Sequence, residues 1–384
     1  MNIGTGNWCD HWKQCVWLIP GKGVPISRGE EVLVHAVHDD TSVCYNLAAQ
    51  DTKSRNYNFS TSEFHLTFPP ERLANYGDSK WRFSMMEALR NALQSRVQPI
   101  CVVADDSVFL TLLAAHLSKI SRVMSLFPGL RDRGAEYVQT VADENGFSAN
   151  HVEIIQKKKP LTLDDTDGKK VDLLIGEPYY HGNDISLPWQ NLRFWKDRTM
   201  LDSVLSEDFL VMPCKAILMA CAMSLPDLWK SRRCLRRIEG FDHSVVNTIL
   251  GACGELPAPQ EGPLLPLFIW QCGEIEQLSK TFMAMEFDFS KPMSSCHGKV
   301  QVELSKSGIC HGFALWIDWV MDPKKCVVIS TGPDQRYWKQ AVKLLAQPVA
   351  VGVQGSSSSE CCSAIIEASF DPSSGEITLK HSFS

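Results

Sequence analysis

The sequence predicts an α/β fold followed by an all-β second half. Two patterns carry this prediction. Short apolar runs alternate with helix-like segments in the first half, which is typical of a parallel sheet with helices packed on it. These apolar runs are ICVVA (100–104), RVMSLF (122–127), HVEII (151–155) and VDLLIGEP (171–178). From Phe282 onward, β-like runs are separated by glycine, proline and serine turns, which favours an antiparallel arrangement.

Three strand-like runs open the chain without a helix between them. They are CVWLIP (15–20), EEVLVHAV (31–38) and SVCYNL (42–47). A sheet built from so few strands leaves unpaired edges. We therefore expect an incomplete sheet over 15–60, with partner strands missing upstream, and we expect it to be the least stable part of the chain.

A helix is predicted from Ser79 to Arg96, because Trp81, Met85 and Leu89 recur at helical spacing after a possible capping residue at Asp78 or Ser79. Further helices are expected over 107–117, 130–145 and 187–205, and further strands of the parallel series over 209–213 and 216–225. The predicted organisation is a strand remnant with linker at 1–62, an α/β domain at 63–225 and a β domain at 226–384.

Composition excludes several classes of protein. The 384 residues carry a net charge of −6, which argues against a nucleic-acid-binding protein with a basic face. No run of about 18 apolar residues predicts a membrane span, and the N-terminus lacks the pattern of a secretory signal. The 14 cysteines include no CxxC pair, so we expect reduced thiols in a cytoplasmic and/or nuclear protein.

Two short N-terminal patterns leave alternatives open. Cys9, His11 and Cys15 could form a zinc site, although their spacing matches no common zinc framework. HWKQCVWLIPGKG (11–23) is similar to YWKQAVKLLAQP (337–348). The similarity predicts two copies of one module, the first of them represented only by its last strands. The alternative is two unrelated strand entries that share four residues.

Three long segments resemble the protein arginine methyltransferases, and in particular their tandem-module, monomethylating branch. They are GEPYYHGNDISLPWQNLRFWKDRTMLD (176–202), DLWKSRRCLRRIEGFDHSVVN (227–247) and STGPDQRYWKQAV (330–342). The resemblance implies an S-adenosylmethionine-binding α/β domain followed by a β-barrel, with residues 8–60 as the end of a first module. It also implies methyl transfer to arginine in histone-like or arginine/glycine-rich proteins.

The features that the family needs for its cofactor are altered here. The glycine-rich turn expected after the first strand falls in VVADDSVFLTLL (102–113), where Asp105, Asp106 and Ser107 stand in place of glycines. The acid expected after the second strand, which would hold the ribose hydroxyls, is replaced by Phe127 and Pro128. We therefore expect that this chain does not bind S-adenosylmethionine.

Three residues match the family's catalytic motifs. Glu177 corresponds to the first glutamate of a pair that clamps the substrate guanidinium, but the second glutamate is missing and only Asp184 is nearby. A solvated or salt-bridged role for Glu177 is an equal alternative. His11 and Trp12 match the His-Trp loop of the first module, with a surface histidine as the alternative. The same loop of the second module reads Tyr337-Trp338.

The expected function is thus a degenerate second module that acts as the pseudo-dimer partner of a catalytic first module or a homologous module. The alternatives are an active methyltransferase with an atypical cofactor site, or a module that binds arginine-rich peptides. Met1 is a true start, the start of an alternative transcript, or the start of a truncated sequence.

Overall fold

A computed structural model describes most of the chain. The described residues are 24–38, 43–48, 70–94, 96–104, 107–118, 120–126, 131–147, 151–155, 161–177, 187–232, 237–245, 264–322, 324, 327–352 and 361–384. The chain divides into two compact units, Met1–His65 and Leu66–Ser384.

The first unit contains an antiparallel hairpin. Strand β1 (Leu33–His38) pairs with β2 (Val43–Ala48), which confirms the strands predicted over 31–38 and 42–47. Every residue of β1 is exposed, including Leu33 and Val37. A two-stranded hairpin with such exposure has little apolar burial of its own to stabilise it. The strand predicted at 15–20 lies outside the described residues, and so does the repeat at 11–23.

The second unit begins with a parallel sheet, as predicted. Its strands are β3 (Ile100–Val103), β4 (Arg122–Ser125), β5 (Val152–Ile154), β6 (Val171–Ile175) and β7 (Leu205–Met212). They lie in the order β5-β4-β3-β6-β7, and all four pairings are parallel. All residues of β3 are buried, which explains why these strands appear in the sequence as continuous apolar runs.

Five helices accompany this sheet. They are α1 (Pro70–Gly77), α2 (Ser79–Gln94), α3 (Val108–Leu117), α4 (Arg131–Glu144) and α5 (Arg193–Met200). Short 3-10 turns lie at Leu163–Thr166, Pro188–Leu192 and Asp202–Val204. The predicted capping role of Asp78 is confirmed, because its Oδ1 accepts the amide of Lys80 at 2.8 Å and that of Trp81 at 3.3 Å. Trp81, Met85 and Leu89 form the buried face of α2.

The rest of the second unit is mainly β, which confirms the predicted all-β half. Its elements are β8 (Lys215–Ser224), α6 (Pro226–Arg232), β9 (Arg237–Ile238), β10 (Phe241–Asp242), β11 (Leu264–Leu267), β12 (Glu276–Gln277), β13 (Phe282–Asp288), β14 (Cys296–Glu303), β15 (Gly308–Asp322), β16 (Val327–Ser330), β17 (Gln340–Val351), β18 (Ser363–Asp371), β19 (Glu376–Phe383) and a 3-10 turn at Ile269–Gln271. One sheet has the order β11-β17-β15-β8-β12, with β13 on β8 and β16 on β15. Strands β14, β18 and β19 form another sheet, and β9 pairs with β10.

The assignment of 216–225 to the parallel series is wrong. Strand β8 pairs antiparallel with β15 along most of the length of β8, and β13 pairs antiparallel with the other edge of β8. From Ala216 to Met223 the strand is a continuous apolar run, as the parallel strands are. Because a strand that is buried on both faces looks the same in parallel and antiparallel sheets, the run predicts a strand without predicting its partner.

Helix α5 joins the two layers of the second unit. The Trp195 indole donates a hydrogen bond to the Lys291 carbonyl at 2.7 Å, and its ring lies 6.1 Å from that of Phe370. Phe194 packs edge-on against Phe289 at 5.7 Å. Large aromatic side chains bury much area with few rotatable bonds, so this contact fixes the helix firmly on the β layer.

Candidate functional site

The order of the parallel sheet indicates where a ligand would enter. The strand order reverses between the neighbouring strands β3 and β6. In open α/β sheets, ligands bind in the crevice outside the carboxyl ends of the two strands at such a switch point. Here the segment after β3 leads to Ser107, and the segment after β6 leads to Glu177. The carboxyl edge of the sheet is therefore the candidate site.

Glu177 is almost completely buried at this edge, with 1% of its surface exposed. The amide of Gly176 donates to the Met212 carbonyl at 2.8 Å, which fixes the chain directly before the glutamate. The Ser107 hydroxyl donates to Glu177 Oε2 at 2.7 Å, and the same oxygen of Ser107 accepts the Leu110 amide at 3.1 Å as the N-cap of α3. One serine thus links the ends of β3 and β6 and starts a helix.

Helix α1 supplies three more donors to Glu177. Arg72 Nη2 lies 3.4 Å from Oε2, Asn75 Nδ2 lies 3.4 Å from Oε1, and the Tyr76 hydroxyl donates to Oε2 at 3.0 Å. Arg72 and Asn75 are 0% exposed. Arg72 Nε also donates to the Tyr76 hydroxyl at 3.1 Å. The carboxylate therefore has an internal guanidinium as its counter-ion, which is the condition for keeping a charge buried.

The phenol of Tyr76 stays protonated in this cluster. Burial raises its pKa well above the ordinary value, and the neighbouring Glu177 carboxylate raises it further, while Arg72 acts in the opposite direction. A protonated hydroxyl can donate to Glu177 and accept from Arg72 at the same time. Tyr76 is thus a hydrogen-bonding bridge within the cluster.

The β domain closes the other side of the site. Trp338 and Glu177 line one cavity together with Asn75, Trp81, Met85, Trp319, Met321 and Ile329. Tyr337 donates to Asp78 Oδ2 at 2.6 Å, so the loop before β17 is joined to the start of α2. The side chain of Gln340 donates to the carbonyls of Thr331, Gly332 and Trp338, which braces that loop.

The Tyr337–Asp78 bond also shifts the pKa of both groups. Burial, and then the bond to Asp78, raise the pKa of Tyr337. Partial burial would raise the pKa of Asp78, but the bond from Tyr337 and the capped amides of Trp81 and Lys80 outweigh it and lower that pKa. Asp78 is therefore ionised and Tyr337 neutral around pH 7.

The described residues around Glu177 enclose one small cavity. The cavity lined by Glu177 and Trp338 has a volume of about 10 Å³, which is about what one water molecule needs. One polar atom in its wall, Asn75 Oδ1, is buried and has no hydrogen-bond partner.

Of the residues singled out in the sequence, the structure describes Ser107, Glu177 and the Tyr337-Trp338 loop. Ser107 bonds Glu177, and Trp338 and Glu177 line one cavity. The salt-bridged alternative for Glu177 agrees with the Arg72 contact. Outside the described residues lie His11 and Trp12, Asp105 and Asp106, Phe127 and Pro128, Asp184, and the suggested zinc ligands Cys9 and Cys15. Sequence reasoning missed Arg72, Asn75 and Tyr76. Ser107 could have been identified from its position before an apolar helical run.

The described part of the chain holds no group of three or more metal-binding side chains. Eight described cysteines are free thiols, and four of them are buried. Burial raises the pKa of Cys101 and Cys221 to about 12, so these thiols are poor nucleophiles. None of the described helices is both long and apolar enough to cross a membrane.

Comparison with known proteins adds three findings. Residues 264–384 match the family model of the arginine methyltransferase oligomerization subdomain. Protein arginine N-methyltransferase 1.6 of Arabidopsis thaliana is 56% identical over 387 residues, which cover 100% of this chain and 53% of the relative. Protein arginine N-methyltransferase 7 of Oryza sativa subsp. japonica is 53% identical over 377 residues, covering 98% of this chain and 51% of the relative.

A solved structure agrees with the fold. A chain of the Trypanosoma brucei PRMT1 enzyme-prozyme heterotetrameric complex with AdoHcy superimposes with a TM-score of 0.59, over 82% of this chain and 92% of that one, at 15% identity. The present chain spans about half the length of the curated relatives that it matches. On the sequence matches and the shared fold, the chain belongs to the protein arginine N-methyltransferase family.

Proposed function

We propose that this chain carries the non-catalytic second module of a tandem protein arginine N-methyltransferase, and that it supports a catalytic module as a structural partner. The proposal rests mainly on the burial and the hydrogen bonds of Glu177. This one carboxylate matching the family's guanidinium clamp is buried and already bonded by Ser107, Tyr76, Asn75 and Arg72.

The described residues of the crevice favour a module that does not hold the family's cofactor. In a working methyltransferase, S-adenosylmethionine would lie outside the carboxyl ends of the strands at the switch point. Here a 2.7 Å hydrogen bond from Ser107 to Glu177 connects those two strand ends. The cavity that described residues line beside Glu177 has room for about one water molecule. This supports a module that does not bind the cofactor.

Among the described residues, the site also lacks a second carboxylate to orient a substrate guanidinium. Two carboxylates hold the planar fork of an arginine and direct one nitrogen, whereas a single carboxylate leaves it free to rotate. Among the described residues, Glu177 is the one carboxylate that lines this cavity, and Arg72 already pairs with it. Binding a substrate arginine would require displacement of Arg72.

The comparisons support a role in an assembly. The relatives of this chain are about twice as long, which leaves room for another module of similar size. The structural neighbour was solved as an enzyme-prozyme heterotetrameric complex. In the proposed function, the partner is a homologous catalytic module, and the assembly methylates arginine in proteins in the cytoplasm and/or nucleus.

The test uses a tandem protein in which a homologous first module is fused to this chain. Methylation of an arginine-rich peptide should fall strongly in His11→Ala, because the resemblance places the His11 loop at the border of the catalytic module. It should remain near the unaltered level in Glu177→Gln. Circular dichroism should establish that both variants are folded.

The reverse outcome would overturn the proposal. If Glu177→Gln abolishes methylation while His11→Ala retains it, the second module is the catalytic one. Loss of activity in both folded variants would mean that Glu177 contributes to catalysis, and the non-catalytic assignment would again be wrong.

A further inference from the structure

Helix α6 follows β8 directly, and side-chain hydrogen bonds attach it to neighbouring parts of the β domain. The Trp229 indole donates to the Leu345 carbonyl on β17 at 2.9 Å, and Asp227 accepts the Glu274 amide at 3.0 Å. Leu225, which joins β8 to α6, is 0% exposed. The position of α6 therefore depends on a few contacts near its start.

A histidine side chain binds the backbone amide at this junction. His311 lies on β15, and its Nδ1 accepts the Leu225 amide at 3.1 Å, with the Ser224 hydroxyl 3.4 Å away. Because a backbone N–H can only donate, Nδ1 is unprotonated in this contact. His311 is 8% exposed, and its ring lies 6.2 Å from that of Trp229. Neutral His311 thus fixes the junction between β8 and α6.

An irregularity in the sheet allows both contacts to α6. The regular pairing of β15 with β17 is interrupted at His311, which alone stands opposite residues 345–348. At such a bulge, residues leave the regular ladder and direct their polar groups to other partners. Here the Leu345 carbonyl accepts Trp229, and the His311 ring accepts Leu225. The register shift therefore creates the attachment point of α6.

We propose that His311 is a pH-sensitive latch for α6, in which the neutral ring holds the start of the helix and a protonated ring releases it. A protonated ring carries an N–H at both nitrogens, so it would oppose the Leu225 N–H and leave that buried amide without its acceptor. The hairpin β9–β10 follows α6 in the chain, and Phe241 on it is 72% exposed. Release of α6 thus frees the base of an exposed apolar hairpin.

Burial is the main influence on the titration of His311. It lowers the pKa of the ring, and a backbone hydrogen bond with Ile309 acts in the opposite direction. The charged side chains on the surrounding elements are Asp227, Lys230 and Arg232 on α6, Glu274 and Glu276 before and in β12, and Lys343 on β17. Strands β8 and β15 carry theirs toward their opposite ends, at Lys215, Asp318 and Asp322. None of these charges is a cause of the lowered pKa.

The sign of the pH dependence follows from the lowered pKa. An exposed histidine titrates near about pH 6.5. Because His311 takes up its proton less readily when α6 is attached, the latch contributes fully above about pH 6.5, and its contribution is lost as the pH falls below that value. Neither the latch nor its test depends on methylation by the assembly.

The test is amide hydrogen exchange of the full 384-residue chain at about pH 7.5 and about pH 5.5, with each rate divided by the intrinsic rate at that pH. Protection over residues 228–232 should fall about fivefold to tenfold at the lower pH, because the opened state binds a proton there. Protection over 101–103, in the parallel sheet, should fall less than about twofold. Constant protection over 228–232, or an equal fall over 101–103, would overturn the proposal.

Three variants separate the latch from general sensitivity to acid. His311→Asn keeps an acceptor near the position of Nδ1 and cannot titrate, so protection over 228–232 should be the same at both pH values. His311→Leu removes the acceptor and should lower protection at least about fivefold at both. His151→Asn is the matched control, since His151 Nε2 lies 2.8 Å from the Ala115 carbonyl, and a ring that donates keeps its bond when protonated.

The variants also define results against the latch. A pH response that persists in folded His311→Asn would overturn the proposal, as would folded His311→Leu with the protection of the unaltered chain. The pH response of α6 should be unchanged in His151→Asn, and its loss there would equally remove His311 as the responsible group. If a His311 variant does not fold, the comparison of 228–232 with 101–103 in the unaltered chain decides.

Discussion

Two arginine–carboxylate clusters lie at opposite edges of the same parallel sheet. At the amino edge, Arg122 at the start of β4 pairs with Glu153 at 2.7 Å and with Asp167 at 2.9 Å. These three side chains are 29%, 43% and 80% exposed. At the carboxyl edge, Arg72 and Glu177 are 0% and 2% exposed, and their closest nitrogen–oxygen distance is 3.4 Å.

The difference shows that burial, and not distance, decides what an ion pair does. The shorter contacts at the amino edge are screened by solvent and contribute little to stability. The longer contact at the carboxyl edge lies where neither charge can be hydrated, so each partner requires the other. The carboxyl edge is also the edge at which this fold places ligands, and there the described side chains of Arg72, Tyr76, Asn75 and Ser107 already bond Glu177.

The largest expected effect is that of breaking the buried pair. Arg72→Met keeps most of the side-chain volume but leaves Glu177 without its counter-ion. It should lower the free energy of unfolding by about 3–5 kcal/mol, as measured by urea denaturation. A loss below about 1 kcal/mol would mean that the pair behaves like a surface pair, and the comparison would fail.

The double variant Arg72→Met/Glu177→Gln is the control for this effect. It removes both charges, so most of the lost stability should return. The coupling of the two side chains in a double-mutant cycle should then be at least about 2 kcal/mol. Additive losses would indicate that Arg72 stabilises the fold through packing alone.

A smaller effect is expected for Tyr337→Phe, at the same edge but closer to solvent. The variant loses the bond to ionised Asp78, so its free energy of unfolding at pH 7 should be lower by about 1–1.5 kcal/mol. The bond lowers the pKa of Asp78 in the folded state. The contribution of the bond to the free energy of unfolding is therefore present above about pH 4, and it is lost as the pH falls through the lowered pKa of Asp78. The stability difference between the two proteins should therefore shrink in urea titrations on going from about pH 7 to about pH 3.5. A difference that grows would contradict the assignment.

The sequence predicted the parallel sheet that carries both clusters, but it did not predict which side chains form them. The parallel strands followed from apolar runs, because burial on both faces demands them, and Glu177 followed from the resemblance to the family's paired-glutamate loop. Arg72 could not be found in the same way, since PERLANYG predicts a helix with a solvated polar face. Which polar side chain is buried depends on a carboxylate 105 residues away. The antiparallel pairing of β8 was missed for a similar reason, because its partner β15 is distant in the sequence.

The smallest effect is expected at the amino edge. Arg122→Ala should lower the free energy of unfolding by no more than about 0.5–1 kcal/mol, because its partners stay hydrated when the arginine is removed. The loss should shrink further in about 0.5 M salt, which screens exposed charges. Parallel urea titrations of Arg122→Ala and Arg72→Met in low and high salt give the contrast directly. Equal losses in the two variants would remove the distinction between the edges.

The closure of the carboxyl edge is tested most directly by titrating the unaltered chain with S-adenosylmethionine in a calorimeter. We predict no saturable binding up to about 1 mM, because two or three lost contacts at about 1–3 kcal/mol each weaken an ordinary affinity by several orders of magnitude. A micromolar dissociation constant would contradict the proposal, since the cofactor would then bind at the edge where Ser107 and Arg72 bond Glu177.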